Sequence, residues 1–183
     1  MTAKDLSPME TRLLDPLLLQ AGKILFLFQQ LENTVEICCA FSRVEGISIS
    51  VEDLLTTNSK RRGQTLGQMI GGLKRAMIFN PAFNDKLGNI VNNRNIFIHK
   101  YWVNRRIFAL DQTIDLDDFQ EILAFEEKLY EDTIQAIRVF LGFGYSIGEV
   151  IARREGKLQH LENDNDLNNM KQFVPNFLSV VNS

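Results

Sequence analysis

Three side chains within residues 93–102 could do chemistry together: Arg94, Asn95 and His99, in the run Asn-Arg-Asn-Ile-Phe-Ile-His-Lys-Tyr-Trp. A guanidinium is a permanent cation whose planar fork clamps phosphate oxygens, and an imidazole is the side chain that titrates nearest neutral pH. An amide can orient either by hydrogen bonding. A fixed cation beside a proton carrier is the equipment of phosphodiester chemistry.

The surrounding charge suits a polyanion. Residues 60–106 hold ten cations (Lys60, Arg61, Arg62, Lys74, Arg75, Lys86, Arg94, Lys100, Arg105, Arg106) against one anion, Asp85, although the whole chain has a net charge of −3. Overall acidity argues against a nonspecific nucleic-acid coat, whereas a local basic face can still steer a polyanion to one site. Lys60, Arg61, Arg62, Lys100, Arg105 and Arg106 are the candidate contacts to that polyanion, which would be RNA if the resemblance drawn below holds. For the triplet at 60–62 the competing reading is a solvated loop. Tyr101 and Trp102 could stack on bases or simply pack at an interface.

Other chemistries lack their residues. His99 and His160 are the two histidines, and the adjacent Cys38 and Cys39 have no metal-ligand spacing, so no metal and no cofactor is expected. No phosphate-binding loop of the Gly-x4-Gly-Lys-Ser/Thr kind is present. Asp115, Asp117 and Asp118 fit helix-start acids better than a cation cluster. A bridge between adjacent cysteines would be strained, and neither a signal peptide nor a membrane span is legible, which together suit a reducing cytoplasm.

The elements that must hold these residues are helices. At 183 residues, 45% hydrophobic and 23% charged, the chain suits one globular domain, with a core over residues 8–144 and a helical extension over 145–183. Apolar side chains recur three or four apart over residues 8–41, giving one long helix, with Pro16 or Gly22 as a place to bend. A short helix starts at Ser50. Residues 65–77 form a second main helix, whose glycines Gly67, Gly71 and Gly72 would admit a close neighbour. Asn80 and Pro81 cap and open a third, running to about Val103. A fourth spans residues 117–141, ended by Gly142 and Gly144. Further helical pieces follow over 146–155 and, interrupted by Pro175, over 166–181. Strand signals are scarce. The expected fold is an all-α bundle of four to five main helices.

On an ideal helix Arg94 projects from the middle of the apolar arc formed by Leu87, Ile90, Val91, Phe97 and Ile98, while His99 lies about 140° away on a polar flank. The competing reading of Arg94 is a structural cation paired with a buried acid such as Glu32 or Glu36, and that of His99 a half-buried ring bonded to a carbonyl. Their joint occurrence in the basic third favours a site.

The spacing Arg-Asn-x-x-x-His, with Tyr101 two residues further on, resembles the signature of the HEPN superfamily. Its members are small helical bundles with an Arg-x4-6-His motif on a late core helix and a polar residue commonly following the arginine. The resemblance covers eight residues. It implies metal-independent endoribonuclease activity, with the ribose 2'-hydroxyl as nucleophile and a cyclic phosphate product. His99 would act as base or acid, Arg94 would stabilise phosphoryl charge, and Asn95 would hold either in place. It also implies a homodimer that sets two copies of the motif side by side. The tyrosine resembles that of toxins paired with minimal nucleotidyltransferase antitoxins, in which the matching residue is adenylylated, so Tyr101 is a candidate modification site. A toxin or phage-defence effector is the expected role. The alternative is a non-catalytic dimeric HEPN-like module that binds nucleotide, RNA or a protein partner.

Overall fold

The apolar periodicity of residues 8–41 folds as one uninterrupted helix, α1 (Pro8–Phe41), with Pro16 inside it. The structure, a computed structural model, describes residues 8–41, 65–75, 77–101, 116–154, 169 and 174–180. Within them the fold is all-α with four main helices, as the periodicity anticipates. Helix α2 (Leu66–Leu73) follows, then a short strand β1 (Met77–Phe79), helix α3 (Pro81–Ile96) continued by a π-helical turn (Phe97–Tyr101), and the long α4 (Leu116–Arg154). A 3-10 turn (Val174–Asn176) leads into strand β2 (Leu178–Val180). The short helix expected at Ser50 lies outside the described residues.

Local chemistry sets several boundaries. Thr65 caps α2 through a capping box: the Gln68 amide N–H donates to Thr65 Oγ1 at 3.3 Å, and the Thr65 N–H donates to Gln68 Oε1 at 2.8 Å. Asn80 caps α3, its Oδ1 accepting from the Ala82 N–H at 2.9 Å, with Pro81 in the first helical position.

Four expectations are corrected. Helix α2 ends at Leu73 rather than running to Met77, because Met77, Ile78 and Phe79 pair antiparallel with Val180, Ser179 and Leu178. The carboxyl-terminal segment expected as helix is accordingly a turn and a strand over residues 174–180; Pro175 cannot donate within a helix. Gly142 and Gly144 do not end α4. Val139, Phe140, Gly142 and Phe143 are all buried there, and such packing outweighs the roughly 1 kcal/mol that each helical glycine costs. No described residue approaches Gly71 or Gly72 closely: a Cβ at Gly71 would meet nothing within 4 Å, and one at Gly72 only the end of Arg75 at 3.9 Å.

The chain divides into two compact units: Met1–Gln29 with Asn89–Ile134, and Gln30–Gly88 with Gln135–Ser183. The first buries Leu17, Ala21, Ile24 and Phe28 of α1, Ile90 and Phe97 after it, and Ile122, Leu129 and Glu126 of α4. The second centres on aromatic rings. Phe83 lies 5.4 Å from Phe177 and 6.0 Å from Phe79 in edge-on contacts, and Phe140 sits 6.0 Å from Phe83 and 6.3 Å from Phe79. Cys38 Sγ donates to the Phe140 carbonyl at 3.2 Å and Cys39 Sγ to that of Met69 at 3.4 Å. Both cysteines are buried and neither is in a disulfide, and burial pushes the thiol of Cys38 far above its ordinary range. Lys86 Nζ bonds Gln135 Oε1 in the same unit.

Candidate functional site

The first unit carries Arg94, Asn95, His99 and Lys100 on one continuous piece of backbone. Ile90, four residues before Arg94, and Phe97, three after it, are both buried in this unit, and that spacing directs Arg94 partly inward: its side chain is half-buried and its Nε is fully enclosed. The outer end of the guanidinium turns back along the helix, where Nη1 donates to Asn95 Oδ1 at 3.3 Å. That bond is at the long end of the N–H···O range. Asn95 is exposed. The residue after the arginine is therefore positioned to orient it.

Immediately beyond, the backbone leaves the α-helical pattern for the π-helical turn at Phe97–Tyr101. Phe97 is the pin of this turn. It is 0% exposed and packs edge-on against Phe28 of α1, ring centroids 6.1 Å apart and planes at 73°. With Phe97 held in the core, Ile98, His99 and Lys100 all face solvent. Two consequences follow for chemistry. His99 is not the half-buried structural histidine of the competing reading, and its ring is open to a ligand. A turn closed i→i+5 also winds less per residue than one closed i→i+4, which narrows the divergence between positions 94 and 99 expected of an ideal helix. Single π-turns within helices occur often at functional sites.

Tyr101 closes the π-turn by its backbone. Lys60, Arg61, Arg62, Trp102, Arg105 and Arg106, together with Asp115, lie outside the described residues. The described cations of the basic third are divided: Arg94 and Lys100 belong to the first unit, Lys74, Arg75 and Lys86 to the second.

One residue of note escaped the sequence reading. Glu126 on α4 is 0% exposed, and neither carboxylate oxygen has a hydrogen-bond partner among the described residues. Burial pushes its carboxyl from the ordinary 4.5 up to about 7. The signal was present: Glu126 falls four residues after Ile122 and three before Leu129, both buried, so it lies on the apolar stripe of its helix. Its neighbour along that stripe, Thr133, is equally buried but satisfies its hydroxyl by donating to the Leu129 carbonyl at 2.6 Å. Glu32 and Glu36, the acids weighed as partners for Arg94, are half-buried.

The second unit has a cavity of about 340 Å³, lined by Thr34, Ile37, Cys38, Phe140, Gly144 and Tyr145 among others. It shares no residue with the Arg94–His99 segment and carries no pair of groups suited to proton transfer. Among the described residues no group of three or more His, Cys, Asp or Glu is placed to hold a metal ion. No helix among them is long and apolar enough to cross a membrane. Comparison with protein-family models, with curated proteins and with solved structures found no match for this chain.

Proposed function

We propose that the chain is a metal-independent endoribonuclease of HEPN type, acting as a toxin or phage-defence effector in the cytoplasm. The observation that carries this reading is the division of labour within six residues: Arg94 is half-buried and braced by Asn95, while His99 stands exposed on a π-turn pinned by Phe97. A held cation and an accessible proton carrier are what in-line cleavage of RNA by its own 2'-hydroxyl requires. The 2'-oxygen attacks phosphorus, the bond to the 5'-oxygen breaks, and the products are a 2',3'-cyclic phosphate and a 5'-hydroxyl. His99 takes the proton from the nucleophile or returns one to the leaving oxygen, and such a positioned transfer contributes about 10²–10⁴-fold. Arg94 stabilises the charge that grows on the non-bridging oxygens. Two proton transfers need two groups, and the His99 of a second copy would supply the other.

The exposed cation Lys100 beside His99 supports RNA as the substrate, and the free thiols of Cys38 and Cys39 agree with a reducing compartment. Tyr101, closing the π-turn, would be the residue adenylylated by a minimal nucleotidyltransferase antitoxin; intact mass after co-expression with such an enzyme tests this, and an unchanged mass rejects it.

The test of the activity is cleavage of RNA in excess chelator by the wild type and by Arg94→Ala and His99→Ala, with circular dichroism as the folding control. Loss of cleavage in both folded variants is expected. Equal cleavage in both would reject the assignment. Intact RNA with salt-sensitive binding would point to the non-catalytic dimeric module instead.

A further inference from the structure

The cavity of about 340 Å³ in the second unit is walled on one side by the carboxyl-terminal half of α1 and on the other by that of α4. Cys38 and Phe140, both 0% exposed, form its floor, and Ile37, 43% exposed, stands at its mouth. No charged side chain lines it among the described residues. The two polar side chains that α1 contributes are already engaged: Thr34 Oγ1 donates to the Gln30 carbonyl at 2.7 Å, and Cys38 Sγ to that of Phe140 at 3.2 Å. The walls also make room. Gly144 and Gly148 stand one helical turn apart on α4, both line the cavity, and a Cβ built at either would meet nothing within 4 Å. Glycine lowers the stability of a helix interior, and no described residue needs the space that these two leave.

Polarity and size then select the occupant. A peptide segment would bring N–H and C=O groups that these walls cannot bond, and a charged molecule would give up its hydration without gaining a partner. An apolar cavity of about 150 Å³ holds one benzene ring, so the volume here suits about two. We propose that the second unit binds a small uncharged aromatic molecule of two rings between α1 and α4, with the Tyr145 hydroxyl, the remaining polar side-chain group of the lining, available to a single polar substituent. A concave site of this volume, mainly apolar with one or two polar groups that fix orientation, is the general form of a small-molecule pocket.

This inference does not rest on the ribonuclease reading, because the cavity shares no residue with the Arg94–His99 segment and either can fail alone. The experiment is titration of the full chain with 1-aminonaphthalene, followed by the blue shift of its emission, beside the anion naphthalene-1-sulfonate. Saturable binding of one neutral molecule per chain, with a dissociation constant below about 1 mM, is expected, and binding of the anion about tenfold weaker or less. Gly148→Leu fills the cavity and Ile37→Asp sets a charge at its mouth, and each should weaken binding by about tenfold or more with circular dichroism unchanged. Ile37 is exposed, so its variant keeps the test decisive if Gly148→Leu does not fold. Leu19→Glu with Phe26→Glu removes exposed apolar side chains of the first unit and should leave binding as it is in the wild type. A wild type with no saturable binding overturns the proposal, as do unaltered binding in the folded cavity variants, loss of binding in the first-unit variant, or equal binding of the anion. A wild type that binds no probe and whose sedimentation mass falls on Ile37→Asp would mean that another protein chain covers the cavity, and overturns it as well.

Discussion

The two units of this chain bury different things. The second packs Phe79, Phe83, Phe140 and Phe177 against one another, and its buried thiols donate to backbone carbonyls. The first encloses Arg94 Nε and the Glu126 carboxyl, which has no hydrogen-bond partner among the described residues, and leaves His99 in solvent. Aromatic burial is what stability alone selects, whereas enclosed charge and exposed apolar surface both work against it. Departures from local rules concentrate where a protein does something else with its residues. The contrast is between a unit packed on aromatic rings and a unit that encloses polar side-chain atoms.

The sharpest way to break this contrast is to move the stabilising role. Phe140→Ala removes a ring with 0% exposure from the aromatic cluster and should cost about 3–5 kcal/mol by urea unfolding. Loss below 1 kcal/mol would mean that the second unit is not where stability resides. Glu126 gives the next largest effect. Its folded-state value of about 7 lies above the ordinary 4.5, so between those pH values the folded chain holds a proton that the unfolded chain releases. Stability is therefore greatest below pH 4.5 as far as this group is concerned, and falls by up to about 3 kcal/mol as pH rises through 7. Glu126→Gln should flatten that slope and exceed the wild type in stability above pH 7, as thermal melts across the range would register; an unaltered slope would clear Glu126 of the effect. Gly22→Ala, with open space at its Cβ on a helix interior, should raise stability by about 1 kcal/mol in thermal melts, and a loss would mean that something packs against position 22. Smallest is Glu149→Gln: the i,i+4 pair with Arg153, 2.7 Å long on an exposed face of the second unit, is worth only about 0.3–0.5 kcal/mol.

Much of the fold was legible because it is local. Helix α1 follows from period, and the start of α3 from Asn80-Pro81, since a cap and a fixed φ act within one turn. What escaped depends on distant partners. Met77-Ile78-Phe79 is too short to signal a strand, and its partner, Leu178–Val180, is about a hundred residues away. The helix survives Gly142 because of what Phe140 and Phe143 bury, not because of what glycine prefers. At the site, residue types and spacing marked Arg94, Asn95 and His99. The π-turn was not legible, because it comes from Phe97 being held by Phe28 across the unit. Glu126 could have been found by asking which acid breaks an apolar stripe.

The most direct test is end-group analysis of RNA incubated with the protein in EDTA. Cleavage yielding 2',3'-cyclic phosphate ends, retained in the conservative Phe140→Leu variant of the second unit and lost in folded Arg94→Ala and His99→Ala, is the predicted result. RNA cut equally by the wild type and both of those variants, or left whole by all, would contradict it.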